Sequence, residues 1–515
     1  MNFPKPANGE QHTALITIAV MLGTLMQVLD TTIANVALPN MQGTLNATQD
    51  QVAWILTSYI VGAAIMTPPT GWLAGRFGRK RIYLLGIIGF TISSFLCGIS
   101  TSLVEIVLFR VAQGLFGATM VPISQAILLD SYPREKHGMA MAIFGVGIML
   151  GPILGPTLGG WLTDTYSWRW VFFINIPVGV LTVLMVTSYV HETEINKTRT
   201  FDALGFLFLS LAIGALQMLL DRGQRQDWFS SPEIIIEFGL LICGMWMFAI
   251  HATGEEHPYI DLRLFKDRNY VLSTTVGLVV FTTLFAAMAL IPPFAQNLMG
   301  YPVVTTGMVL MPRGIGTMIT MMAAGRLSNK VDPRIMISSG LIVMAWSLHE
   351  MSQFDLQVDA WALTWTGFVQ GLGMGLSMIT LMTIAFSTLP ATLRTEATGV
   401  YNLIRNIGGS VGISVAFTLL DRYGQVNHSV LAQHINPYNG NMAFMPGGGM
   451  DLNNTHDLAM LNTMVSRQAA MISYNDDFKL MMILSLLAVP LVLMLRRPRF
   501  DKAQGQAKQA APVME

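Results

Sequence analysis

The stretches "GWLAGRFGRKRI" (Gly71–Ile82) and "GRLSNKVDPRI" (Gly325–Ile335) are two versions of one signal. Gly71, Leu73, Arg76 and Lys80 align with Gly325, Leu327, Lys330 and Arg334 at an offset of 254 residues. A second pair lies nearby: "RVAQGLFGA" from Arg110 and "GFVQGLGMG" from Gly367 align Gln113-Gly114-Leu115 with Gln370-Gly371-Leu372 at an offset of 257. Two independent matches at nearly one offset mark an internal repeat. Both copies enter the membrane from the same side, so the repeat is parallel, about an axis along the membrane normal. Transporters are known with this design, and their substrate sites lie between the halves near midplane.

Composition sets the environment. Of the 515 residues 52% are hydrophobic and only 12% are charged, with 47 Gly and 36 Met; about 25% charged is usual for a soluble domain. This is the composition of a polytopic membrane protein. The net charge is zero, which leaves no electrostatic case for nucleic acid. Spans need about 20 mainly apolar residues. Fourteen segments qualify, beginning near Ala14, Val52, Ile82, Leu103, Gly138, Trp170, Ala203, Ile234, Val271, Val303, Ile335, Trp361, Thr398 and Leu480. The apolar run at the N-terminus lacks an A-x-A cleavage signal and is expected to stay as the first helix.

Most of the thirty basic residues fall on one face. Lys5, Arg76, Arg79, Lys80, Arg134, Lys136, Lys197, Arg263, Lys266, Arg326, Lys330, Arg394 and the tail from Arg496 share it, which predicts cytoplasmic termini by the positive-inside rule. The repeat then pairs helices 1–6 with 9–14. Residues 1–200 are the first half, 201–268 two inserted helices, 269–500 the second half and 501–515 a tail. Residues 421–476 are expected to be a long outer loop, with a short amphipathic helix near "DLAMLNTMVSRQAAMI". Cys97 and Cys243 are read as small core residues, and no cysteine, serine or metal constellation for catalysis is present.

The first expected helix closes on "MQVLDTTIANVALP", Met26–Pro39, with Asp30 inside it. A carboxylate at the centre of a span costs about 2.5–3.5 kcal/mol on insertion scales. Counting at 1.5 Å per residue puts Asp30 roughly 13 Å and Arg110 roughly 10 Å below the outer surface. The two charges share a depth and are predicted to pair, with Gln113 one turn below Arg110. Either the pair only locks helix 1 to helix 4, or Asp30 takes up and releases a proton under the control of Arg110. Arg313 and Arg405 in the second half lack an acid at matching depth, and are candidates for a substrate pocket or cavity-facing structural residues. Gln113, Gln370, Met374 and Met378 complete the pocket candidates; Met374, Met378 and Met382 also fit a packing or lipid-facing stripe. Helix 5, "GVGIMLGPILGPTLGGW", carries Gly147, Gly151, Gly155 and Gly159 every fourth residue, a bare stripe for close helix approach, with Pro152 and Pro156 able to bend it. Glu105 and Glu237 read as interfacial, and Asp221 as part of a turn. No G-x-x-x-x-G-K-[ST] is present, which argues against nucleotide-driven transport in this chain.

"LDTTIANVALP", "GWLAGRFGRKR", "RVAQG" and "GPILGPTLGG" resemble motifs of the major facilitator superfamily, the last of them its antiporter signature. "WRWVFFINIPVG" from Trp168 and "ALQMLLDRG" from Ala215 resemble the fourteen-helix drug/proton antiporters, the EmrB-type multidrug exporters in particular. The resemblance implies the major facilitator fold and export of lipophilic compounds across a bacterial inner membrane, driven by the proton gradient with no cofactor. It implies protonation at Asp30, coupling through Arg110, gating by the helix 5 stripe, and conformational control by Gly71, Arg76, Gly78, Arg79 and Lys80. It implies a periplasmic adaptor and, through it, an outer-membrane channel, with the 421–476 loop as the candidate contact. The family loop commonly has an acid where this chain has Gly75, so the charge relay expected there lacks its acid. The readings set against export are a proton-coupled nutrient importer, which needs polar groups converging at midplane, and a non-transporting sensor or scaffold.

Overall fold

The computed structural model describes residues 13–133, 136–193, 195, 201–255, 258–327, 331–390, 393–435 and 454–496. Lys5, Arg134, Lys197, Arg199, Lys330, the centre of the expected outer loop and the tail beyond Arg496 lie outside them. The described residues are helical, with no strand among them.

The first half comprises α1 (Thr13–Thr44), α2 (Gln49–Met66), α3 (Thr70–Phe77), α4 (Arg79–Ile99), α5 (Leu103–Gly117), α6 (Met120–Ser131), α7 (His137–Thr165), α8 (Trp170–Phe173) and α9 (Asn175–Tyr189). The inserted pair is α10 (Ala203–Arg222) and α11 (Pro232–Gly254). The second half comprises α12 (Arg268–Pro293), α13 (Val303–Leu327), α14 (Pro333–Met351), α15 (Ala360–Ser387), α16 (Arg394–Gln433) and α17 (Thr455–Leu493). Among the described residues nine helical stretches are long and apolar enough by themselves to cross a membrane. Three expected spans are each split into two helices, at Thr67–Pro69, at Ala118–Thr119 and at Ile174. Prolines sit at or just beyond each break (Pro68 and Pro69, Pro122, Pro177), where they remove the backbone donors a continuous helix needs. Side chains settle several helix starts: capping boxes at Thr48/Gln51 and Ser102/Glu105, and aspartate caps at Asp202, Asp267, Asp332 and Asp359.

The expected outer loop is mostly helix, a correction to the sequence reading. Residues 421–433 continue α16, and residues 455–476, including the expected amphipathic segment, continue α17 without a break. Hydropathy gives no sign of this because the stretch is polar. Helix persists because no proline interrupts α16, and the two extensions bond to each other. Asn427 donates to Ser473 Oγ at 3.2 Å, and His428 meets Asn462 at 2.9 Å. Cys243 is also corrected: it is exposed on α11. An apolar run cannot tell a lipid-facing position from a core one. Glu237, read as interfacial, is buried.

The repeat has a packing meaning. A Cβ on Gly114 of α5 would strike Tyr59 O and Ala63 N of α2; one on Gly371 of α15 would strike Arg313 O and Thr317 N of α13. Gly62 and Gly316 answer them, facing Val111 O and Phe368 O. The sequence signal Gln-Gly-Leu therefore marks where two helix backbones touch, once in each half.

One buried core spans both halves at the end bearing Arg76 and Arg79, and includes Tyr83, Phe144, Met321 and Tyr401. At the opposite end each half keeps its own core, around Trp168 in the first and Phe294 in the second. Among the described residues the halves thus share a buried core at the basic end and none at the other.

Gly114→Ala is expected to lower thermal stability by about 1–3 kcal/mol, the usual scale of overpacking, because backbone atoms cannot move aside. Gly160→Ala, where nothing lies within 4 Å of the new methyl, is expected to leave the melting temperature unchanged or raise it. Thermal unfolding of the purified variants in detergent checks both.

Candidate functional site

Asp30 and Arg110 meet in the interior of the first half. Their side chains are 1% and 0% exposed, and Arg110 Nη1 lies 2.5 Å from Asp30 Oδ2. The sequence-based pairing is therefore present in the structure. Gln113 joins it: its Nε2 donates to Asp30 Oδ1 at 2.9 Å, and its Oε1 accepts from Arg110 at 2.8 Å. Arg110 Nε donates to Ile55 O at 3.0 Å, and the guanidinium lies over the Tyr59 ring at 4.4 Å and the Phe172 ring at 5.7 Å. Arg110 is held by α2 and α8 as well as by the acid. It keeps partners if Asp30 is neutralised, which makes a change of charge at Asp30 less disruptive than in an isolated buried pair.

Sequence reasoning missed Asn175. At the first residue of α9, it donates to Asp30 Oδ1 and to Ser94 Oγ, both at 2.9 Å. Its signal was a lone amide in the apolar run "VFFINIPVG", just before the proline that follows the helix break. The carboxylate thus receives donors from α5 and α9.

The α7 stripe packs beside the same turn of α1. A Cβ on Gly151 would meet Val28, one on Gly155 would meet Thr32, and one on Gly159 would meet Ile33; Gly147 faces Met21. Thr32 Oγ1 also lies 3.3 Å from Gly151 O. The stripe's contact is therefore within the first half, with residues flanking Asp30. The side chains of Pro152 and Pro156 lie outside the described residues.

The loop after α3 turns on Gly78, whose φ of +96° suits glycine. Two acids from elsewhere in the same half bond to the basic residues that follow it. Arg79 pairs with Asp130 of α6, and Glu192, beyond α9, accepts from the backbone N–H groups of Lys80 and Arg81 at 3.1 and 3.2 Å. Lys80 Nζ donates to Thr187 O at 2.7 Å. Gly71 is buried and Arg76 half-buried. Asp221, expected in a turn, closes α10 and accepts from Thr57 of α2.

Among the described residues the second half has no copy of the charged pair. By the two repeat offsets, Arg313 stands where the first half has Tyr59, and Gly367 where it has Arg110. Arg313 is buried, and its Nε and one terminal nitrogen have no hydrogen-bond partner among the described residues. Gln370 is buried with its Nε2 unpartnered, and Met374 packs near Thr317.

A narrow pocket lies between the halves at the end where they join. Gln125 and Phe144 line it from the first half; Met378, Met382 and Arg405 line it from the second. Of the expected pocket residues the structure places Met378 and Arg405 there. Gln113 belongs instead to the Asp30 network, while Arg313, Gln370 and Met374 lie off the pocket. Tyr401 and Asn402, not singled out by the sequence reading, also line it.

With this geometry in view, the sequence profile described as Major Facilitator Superfamily matches residues 20–413. The fatty acid resistance protein FarB of Neisseria gonorrhoeae is 34% identical over 98% of this chain and 100% of its own. The multidrug export protein EmrB of Escherichia coli K12 is 35% identical over 93% of this chain and 94% of its own. Among solved structures, the human organic anion transporter MFSD10 superposes with a TM-score of 0.58 at 14% identity, covering 93% of this chain and 100% of that one, a likeness of fold.

Breaking the Asp30–Arg110 pair from one side leaves a buried charge uncompensated. Arg110→Ala is expected to cost about 3–5 kcal/mol of stability, and the double variant Asp30→Asn with Arg110→Gln less than Arg110→Ala alone. Thermal melting of the variants measures the difference.

Proposed function

The chain belongs to the Major Facilitator Superfamily, and from that premise we propose that this multi-pass membrane transporter is a proton-coupled antiporter that exports lipophilic drugs or toxic compounds. Relatives at about this identity carry the names multidrug export protein and fatty acid resistance protein, which supports export as the direction and lipophilic molecules as the cargo. The observation that carries proton coupling is the buried Asp30 carboxylate, set beside a guanidinium that has other partners.

A proton from the outer side adds to the Asp30 carboxylate and neutralises it. The attraction to Arg110 Nη1 falls, while Arg110 keeps Ile55 O and Gln113 Oε1. Release of the same proton on the inner side restores the pair. The α7 stripe lies against Val28, Thr32 and Ile33, so movement of α1 at this turn is felt by α7. One proton moving down about 150 mV releases roughly 3.5 kcal/mol. At about 1.4 kcal/mol per decade this supports a gradient of a few hundred fold, so one titrating carboxylate suffices.

The basic end, with Arg76, Arg79 and Arg326, faces the cytoplasm under the positive-inside rule, which places both termini there in a bacterial inner membrane. The structure then corresponds to a state closed on the cytoplasmic side. The α16–α17 extensions rise on the outer side and expose Val426, Val430, Leu458 and Met464. This helical pair and the segment joining it are the contact for a periplasmic adaptor that leads to an outer-membrane channel.

In liposomes with an imposed pH gradient, wild-type protein is expected to move a lipophilic dye against its gradient, and Asp30→Asn to lose that coupling while remaining folded. No dye movement by wild type overturns the exporter; unchanged coupled movement in Asp30→Asn overturns Asp30 as the carrier. Deleting residues 440–453 is expected to spare liposome transport and weaken co-purification with the adaptor. Unchanged co-purification removes this segment as an essential contact.

A further inference from the structure

The pocket between the halves carries a chemical signature that export of lipophilic compounds does not specify. Arg405 lines it, and no carboxylate does. The guanidinium takes part in no ion pair among the described residues; its Nε is buried without a hydrogen-bond partner, and its carbon lies 5.8 Å from the centre of the Phe281 ring. The nearest acid along α16 is Glu396, more than two turns away and already bonded to Asp261 N. One turn before Arg405, on the same face, Tyr401 is 3% exposed with a hydroxyl that has no partner among the described residues. Asn402 is 2% exposed; its amide nitrogen donates to Thr398 O at 2.9 Å and reaches Gln125 Oε1 across the halves at 3.4 Å, while its own oxygen has no partner among the described residues.

The rest of the wall is apolar and adaptable. Met141 from the first half and Met321, Met378 and Met382 from the second bring four thioethers together, beside Phe144 and Phe281. Methionine side chains repack at low cost around flexible chains.

We propose that this pocket binds amphiphiles with a single anionic head and a flexible apolar tail, the head on Arg405 and Tyr401, the tail among the methionines. A bound anion gives the half-buried Arg405 a counter-charge and its buried Nε an acceptor, and gives the Tyr401 hydroxyl an acceptor. A neutral ligand leaves the guanidinium unpaired in an apolar wall, and a cation adds repulsion to that cost. A second negative charge on the head finds no second cation among the lining residues. The pocket is narrow in this conformation, so a ligand enters as the halves part, and Asn402 with Gln125 ties its closure to the join between them.

The inference rests on the exporter reading for its direction of transport, but its test does not use transport. Equilibrium binding to the purified full chain in nonionic detergent compares dodecanoate, dodecanol and dodecyltrimethylammonium, which share one tail and differ in head charge. Wild type is expected to bind dodecanoate roughly tenfold or more tightly than the cation, the scale of a charge-assisted hydrogen bond. Arg405→Gln is expected to abolish that preference, Arg405→Lys to retain most of it, and Tyr401→Phe to reduce it in part. Equal or tighter binding of the cation by wild type overturns the proposal, as does an intact anion preference in Arg405→Gln that is confirmed folded by its elution profile. If Arg405→Gln does not fold, Tyr401→Phe decides: a reduced preference there keeps the head on this pair, and an unchanged preference overturns the assignment. Either overturning result leaves dye export unaffected, whereas failed dye export with an intact anion preference sinks the exporter and keeps the pocket.

Discussion

A carboxylate and a guanidinium withdrawn together from water constrain the whole first half. Asp30 and Arg110 are tolerable in a membrane-spanning bundle only because α2, α5, α8 and α9 converge on them: Ile55 O and the Tyr59 ring on one side, Gln113 on another, Phe172 and Asn175 beyond. That convergence fixes how close α1, α2 and α5 stand. The glycines at 62 and 114 are the backbone expression of the same closeness. The α7 stripe then completes the enclosure by packing on the turns of α1 that flank the acid. Stability and proposed function therefore draw on one cluster, since the partners that keep Arg110 in place are those that the proposed charge change at Asp30 relies on.

The two halves repeat a backbone and divide the chemistry. Glycine contacts recur at Gly62 and Gly316 and at Gly114 and Gly371, but the charge does not. The first half pairs its buried cation with an acid. The second buries Arg313 without an ion pair among the described residues and sets Arg405 at the seam, where the proposed anionic head binds. On this account the proton binds in one half and the head of the cargo in the other. They communicate where the halves meet, at Gln125 and Asn402 and along the shared core.

The sequence made the repeat and the Asp30–Arg110 pair legible for one reason: both depend on regular helix geometry, so depth and offset can be counted along the chain. Asn175 escaped because it follows a helix break, where counting fails. Tyr401 and Asn402 escaped because α16 carries polar side chains along its length, Arg405, Asn406 and Ser410 among them, and the sequence alone does not say which of them meets the seam. The same ambiguity misplaced Cys243. The outer helical pair was read as a loop because its polar residues bond between two helices, and a pattern of burial along one chain does not record that. The acids that bond Arg79 and the backbone of Lys80 and Arg81, Asp130 and Glu192, lie far along the chain from the Gly75 loop. No local motif reveals those contacts.

The central claim is that Asp30 exchanges a proton while buried, and infrared difference spectroscopy reads it directly. Spectra of the purified chain in lipid are recorded as the pH is lowered, for wild type and Asp30→Asn. The account predicts a carbonyl band of a protonated carboxylic acid that grows in wild type and is missing from Asp30→Asn. Identical bands in the two proteins would contradict it and leave the Asp30–Arg110 pair as a lock between helices.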